Sequence, residues 1–181
     1  MEFLKNLESR QSIRKFTEEP VAKEDIVKMT ELAAMAPSWK NSQPTRFVAV
    51  TDKALLEKLA NEGLGGFDWN RKIISGAPLL FVIETVAGKS GCKAEDGSFE
   101  TPKGAHWQSF DAGLASMALC LAANELGYGS VIMGIFDEAE VKKLLGVGSD
   151  RSISALIAVG RPAEEPKKRP RLTVDELLEI K

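Results

Sequence analysis

Residues 77–85 read APLLFVIET, and the reading of this stretch decides the fold. From Leu79 to Ile83 every side chain is apolar, Phe81, Val82 and Ile83 are of the aromatic and β-branched kinds that pleated strands favour, and Pro78 stands at the entrance. A strand with one face in water alternates apolar and polar residues, whereas an unbroken apolar run suits a strand covered on both faces. Residues 77–85 are therefore expected to hold a central strand, with helices packed on each side of it.

Working outward toward the N-terminus, GLGGFDWNRKII reads as a loop and a short helix. DKALLEKLANEG has helical spacing at Leu55, Leu56 and Leu59 with a glycine stop at Gly63. TRFVAVT before it is a short β-rich run. AKEDIVKMTELAAMAP places Ile26, Met29, Leu32 and Ala33 on one helix face and ends at Pro37, and residues 2–8 suit a further short helix. Toward the C-terminus, residues 87–104 are polar, glycine-bearing and without period, as in an exposed loop. HWQSFDAGLASMALCLAANELGYG follows, apolar on several faces, as expected of a helix packed all round. SVIMGIF reads as a strand ending at Asp137, DEAE as a capping-box start to a helix reaching about Leu145, and ISALIAVGRP as a last strand. A proline-rich basic arm then leads to a short helix opened by a capping box from Thr173 to Glu176. Strands and helices alternate, which fits an α+β or an α/β sheet and leaves the topology open.

The chain has 181 residues, enough for one domain with its own core, so a single domain over 1–181 is expected. A hydrophobic fraction of 44 % beside 28 % charged residues excludes a disordered or low-complexity chain. The net charge of −2 gives no general attraction for nucleic acid, so basic residues matter only where they cluster. Two cysteines, Cys92 and Cys120, are too few for a disulfide framework, and a reducing cytoplasm is the expected compartment. No window reaches the roughly 18 apolar residues of a membrane span, and no targeting segment is expected.

Acid–base machinery is thin. His106 is the sole histidine, no serine sits in a G-x-S-x-G elbow, and no metal-ligand spacing occurs, so hydrolysis and metal catalysis lack their parts. His106 reads as a helix-start residue. No Rossmann or P-loop glycine pattern is present. Basic residues gather at two ends instead: Arg10 and Arg14 around Ser12 in SRQSIRKF, and Lys167, Lys168, Arg169 and Arg171 near the other terminus. Alternate residues of an extended segment share one side, so Arg10, Ser12 and Arg14 can converge on one anion such as a phosphate. The other reading is a solvated basic face.

SRQSIRKF, MAPSWKNSQPTRF about twenty residues later, DAGLASMALCLAANELGYGS and the terminal PKKR together resemble the FMN-dependent nitroreductase family, in its order and spacing over nearly the whole chain. The resemblance implies an α+β fold layered α/β/α, a central, mostly antiparallel sheet flanked by helices, and a domain-swapped type of homodimer with FMN at the subunit interface. It implies that Arg10 and Ser12 bind the FMN phosphate, that Gln11 contributes its backbone, and that Arg14 reaches the ribityl or pyrimidine side. It further implies that Lys167 and Arg169 complete the phosphate site. Pro37, Ser38, Asn41 and Gln43 would lie against the flavin held mainly by the other subunit, and Ile132, Met133 and Gly134 would pass the flavin ring. Asn70 and Lys72 in WNRK, a looser match in spacing, would contact the pyrimidine.

The activity so implied is NADH- or NADPH-dependent reduction of nitroaromatic, quinone or related acceptors by a ping-pong mechanism. The cofactor carries the chemistry, which accounts for the missing catalytic side chains. A flavin-binding sensor or carrier without fast turnover, and a flavoenzyme specialised for dehalogenation or double-bond reduction, are the alternatives. Neither nucleic acid nor a membrane is expected as a partner. The loop 87–104, with Trp107 behind it, is either a lid or a variable surface loop, and the central helix is either plain core or also part of the dimer interface.

Overall fold

The structure, a computed structural model, describes residues 2–93, 95–166 and 168–181. Four strands form one sheet: β1 (Thr45–Val50), β2 (Leu79–Val86), β3 (Gly129–Met133) and β4 (Arg151–Gly160), in the spatial order β1-β2-β4-β3. Every neighbouring pair is antiparallel, with Phe47 opposite Ile83 and Phe81 opposite Ile157. The unbroken apolar run of β2 thus lies inside the sheet. Its side chains divide by parity, as the pleat requires. Leu80 and Val82 enter one core with Leu56, Leu59, Ile74 and Val141, while Leu79, Phe81 and Ile83 enter a second with Met29, Ala33 and Leu119.

The helices fall into two layers accordingly. α3 (Lys53–Glu62), α4 (Asp68–Ser75) and α6 (Glu138–Leu145) supply the first core; α2 (Lys23–Ala33) and the long α5 (His106–Glu125) supply the second. Asp52 caps α3 by accepting the Leu55 N–H at 2.8 Å. α1 (Phe3–Ser9) docks on α5 through buried Asn6, whose Nδ2 donates to the Leu121 carbonyl at 3.1 Å and whose Oδ1 accepts from Asn124 at 2.8 Å. α7 (Val174–Leu177) begins with the expected capping box at Thr173.

Three local expectations need correction. β3 stops at Met133 instead of continuing to Asp137, because residues beyond it are drawn onto α3 and α4. The Asp137 N–H donates to the Gly63 carbonyl at 2.8 Å, and Asn70 Nδ2 donates to the Ile135 carbonyl at 3.0 Å. At the start of α6 only half of the capping box forms: Asp137 accepts the Glu140 N–H at 3.0 Å, but the Glu140 carboxylate turns to Lys143 at 2.8 Å. The loop 87–104 is not exposed throughout. Ser90, Gly91 and Cys92 are buried, since the Ser90 hydroxyl donates to Asp111 inside the protein at 2.6 Å.

Candidate functional site

Residues 10–16 leave α1 as an extended segment stitched on two sides. The Ile13 N–H donates to the Ser130 carbonyl of β3 at 3.0 Å. The Thr17 N–H donates to the Arg161 carbonyl at 2.9 Å and the Ala163 N–H to the Lys15 carbonyl at 3.0 Å, just past the end of β4. Ile13 is buried so close to Gly129 that a Cβ there would stand 2.6 Å from its own Cβ, so only glycine admits the segment. These contacts bring the two ends of the chain together. Arg10, Gln11, Ser12 and Arg14 line a cleft of about 330 Å³ with Arg169 and Arg171.

That cleft is strongly basic. Four guanidinium groups face it against the carboxylates of Glu164 and Glu165, and Glu164 is held by Lys15 at 3.0 Å. Arg10 also carries a buried Nε with no hydrogen-bond partner among the described residues. An unsatisfied buried donor of this kind is costly unless a ligand accepts from it. The charge of Arg10 reaches inward as well: burial pushes the Cys120 thiol of α5 up, while the Ser130 hydroxyl and Arg10 pull it down. Guanidinium forks converging with a hydroxyl and an orphaned N–H fit a phosphate-bearing group.

The second group of expected residues sits elsewhere. Pro37, Ser38 and Gln43 line a groove of about 340 Å³ with Thr45, Arg46 and Asp111. Between them a short 3₁₀ turn, Trp39–Asn41, holds the chain in an uncommon shape. Lys40, Asn41 and Gln43 have φ of 44°, 55° and 47°, three non-glycine residues in the left-handed region within four positions. Such geometry persists only where its surroundings over-determine it. Here the Trp39 N–H donates to Asp111 Oδ2 at 2.9 Å, the Gln43 N–H donates to Ser38 Oγ at 3.0 Å, and Arg46 donates to the Gln43 carbonyl at 2.8 Å. Lys40 Nζ reaches both carboxylate oxygens of Glu100, at 2.7 and 2.6 Å.

Asp111, only 2 % exposed, is the hub of this arrangement. One oxygen accepts from both Trp39 and Ser90, tying α5 to the strained turn and to the loop before α5. The sequence signal for it was a lone carboxylate inside an apolar helix, which periodicity alone does not interpret. Within one chain the two groups do not meet, because no described residue lines both the basic cleft and the Pro37–Gln43 groove.

Of the remaining expected residues, Ile132 and Gly134 are exposed, whereas the Met133 side chain is packed into the core and leaves only its backbone available. Lys167 lies outside the described residues. Asn70 is buried and bonded to Ile135, so it fixes the segment after β3, while Lys72 is exposed. Asn41 is exposed and outside the groove lining. His106 is the exposed first residue of α5, as its reading as a helix-start residue expected.

The chain matches the sequence model of the nitroreductase family over residues 7–68 and 65–161. It is 32 % identical over 179 residues to an FMN reductase [NAD(P)H] of Bacillus subtilis, covering 94 % of this chain and 70 % of that protein. Its structure is similar to that of a nitroreductase family protein of Streptococcus pneumoniae, with a TM-score of 0.86, 27 % identity, and coverage of 99 % of this chain and 100 % of that one. It is also similar to an FMN-dependent nitroreductase of Clostridium difficile, with a TM-score of 0.75, 27 % identity, and coverage of 98 % and 95 %. With most of its length matched by the family's sequence model and its fold shared with a solved member, the chain belongs to the nitroreductase family.

Proposed function

We propose that the protein is an FMN-dependent oxidoreductase that uses NADH or NADPH to reduce nitroaromatic, quinone or related acceptors, working as a homodimer with one FMN at each interface site. The observation that carries this reading is the meeting of Arg10, Ser12 and Arg14 with Arg169 in one cleft, where the buried Nε of Arg10 lacks a partner among the described residues. The chemistry FMN supplies when bound is redox exchange, with electrons taken from the nicotinamide donor and given to the acceptor in ping-pong order.

The chain's own residues bind and orient. Arg10, Ser12, Lys167 and Arg169 would hold the phosphate, and Gln11 would offer its backbone. Arg14, exposed and on the same side as Arg10, places a fixed positive charge toward the rest of the cofactor, where it favours negative charge developing on reduction. Pro37, Ser38, Asn41 and Gln43 lie apart from that cleft in one chain, so a second copy is required to put them on the same ligand. Ile132, Met133 and Gly134 would contribute from the sheet edge, Met133 through its backbone.

Exposed apolar side chains support the dimer. Phe110 and Met117 of α5 and Leu172, Val174, Leu177 and Ile180 of the C-terminal arm lie open in the single chain. Two free cysteines suit a reducing, cytoplasmic setting. Among the described residues, no helix is long and apolar enough to cross a membrane.

The test is the visible spectrum. Purified protein is expected to be yellow or to take up FMN on titration, to sediment as a dimer, and to bleach anaerobically with NADH or NADPH. Protein that stays colourless after FMN titration overturns the proposal.

A further inference from the structure

Beside the strained turn, and separate from the basic cleft, lies a cavity of about 600 Å³ between residues 39–42 and the loop 88–100. Its walls combine three features. Trp39 contributes an indole whose Nε1–H is buried and Ser42 a buried hydroxyl, neither with a hydrogen-bond partner among the described residues. Both are groups that a ligand acceptor would satisfy. Lys89 and Lys93 contribute amines that have no ion-pair partner among the described residues, whereas Lys40 and Glu100 neutralise each other at 2.6 Å. Glu95 is the remaining carboxylate, which leaves two free amines against one acid. Behind Trp39 stands an aromatic stack, with Trp107 edge-on at 5.2 Å and Phe110 at 5.1 Å from Trp107.

We infer that this cavity is the recognition site for aromatic acceptors carrying a carboxylate or comparable anionic substituent. The ring lies against the Trp39 indole, the indole N–H and the Ser42 hydroxyl donate to acceptor oxygens, and Lys89 with Lys93 selects the anion over its neutral analogue. The loop 87–104 thereby becomes a specificity element. The inference deepens the proposed function and rests on that reading, because the turn that forms one wall continues into Ser38 and Gln43 of the proposed cofactor contact.

The deciding measurement is binding, followed by quenching of tryptophan fluorescence as 4-nitrobenzoate or its neutral isostere 4-nitrobenzamide is added to the purified protein. At low salt the benzoate is expected to bind about tenfold more tightly, and the preference to shrink as ionic strength rises. The double variant Lys89→Ala/Lys93→Ala is expected to bring the ratio to about one, Lys89→Arg/Lys93→Arg to keep it, and Trp39→Phe, which keeps a ring but loses the N–H donor, to weaken both ligands severalfold. A ratio near one in the unaltered protein, or one unchanged in the double alanine variant, overturns the inference. The same two compounds as electron acceptors should give the same order in kcat/KM. Selective binding without FMN uptake or turnover would leave the site standing and remove the proposed function, whereas turnover without charge selectivity would do the reverse.

Discussion

The central strands β2 and β4 and the turn at residues 38–43 obey opposite rules. From Leu79 to Ile83 of β2 local preference agrees with the fold: β-branched and aromatic residues, extended backbone, and apolar side chains on both faces of a covered sheet, with the register shifting only after Ile83, where buried Glu84 pairs with Arg151. In the turn a lysine, an asparagine and a glutamine adopt the left-handed backbone that glycine prefers, and they are held there by Asp111, Ser38, Arg46 and Glu100. Where levels agree, the chain needs no special support; where they conflict, the surroundings must hold the shape, and such conflicts gather at functional sites.

The largest expected effect lies in the sheet. Leu156 of β4 is fully buried, so Leu156→Ala should cost about 2–5 kcal/mol of unfolding free energy through lost burial and a residual cavity. Urea denaturation reads this directly. A loss under about 1 kcal/mol would mean that the centre of the sheet is not tightly packed.

Next comes Asp111→Ala, which strands the Trp39 N–H and the Ser90 hydroxyl. The buried Ser90 hydroxyl left without an acceptor costs about 1–3 kcal/mol and the part-buried Trp39 N–H about 1 kcal/mol, so a loss of about 2–4 kcal/mol is expected. The discriminating measurement is hydrogen exchange: amide protection at residues 38–43 should fall while that of β2 and β4 stays high. A uniform loss across the molecule would break the comparison, since Asp111 would then serve the whole fold and not the turn.

This contrast also explains what could be read from the sequence. The central strand was legible because a run of five apolar residues has one sensible place in a layered protein, and the parity of Leu80 and Phe81 then assigns the two cores. The cleft was legible as residue types but not as a place. Nothing local in SRQSIRKF states that Lys15 bonds Ala163, so only the resemblance joined the two basic clusters. The left-handed turn was not legible, because lysine and glutamine carry no signal for it; its cause is Asp111, 72 residues away from Trp39 in the chain. Burial of Ser90 escaped for the same reason, as a polar, glycine-bearing segment reads as surface until its buried acceptor is known.

Arg10→Ala separates cofactor grip from folding. Charge-assisted hydrogen bonds to a phosphate contribute about 1.5–3 kcal/mol, so FMN affinity should fall by about 10- to 100-fold, read from FMN fluorescence at equilibrium. Unfolding of the cofactor-free protein should show no loss of stability, because the Arg10 Nε has no partner among the described residues and its burial cost goes with it. Full flavin occupancy in the variant would return the patch to the status of a solvated surface.

The smallest effect is the most direct probe of strain. Gln43 has a φ of 47°, and what holds it there acts on its backbone: its N–H is taken by Ser38 and its carbonyl by Arg46. Glycine keeps both bonds and removes the Cβ conflict, which for an ordinary residue costs about 1–2 kcal/mol, while adding about 0.5–1 kcal/mol of backbone entropy to be lost on folding. Gln43→Gly should therefore stabilise the protein by about 0.5 kcal/mol, a small rise in the urea midpoint. In β2 the same substitution, Val82→Gly, must destabilise, for it removes buried contacts and relieves nothing. If Gln43→Gly also weakens FMN binding, the glutamine side chain is kept at the expense of stability because it touches the ligand. If stability rises and binding is unchanged, the left-handed turn itself, and not the side chain that strains it, is what the site requires.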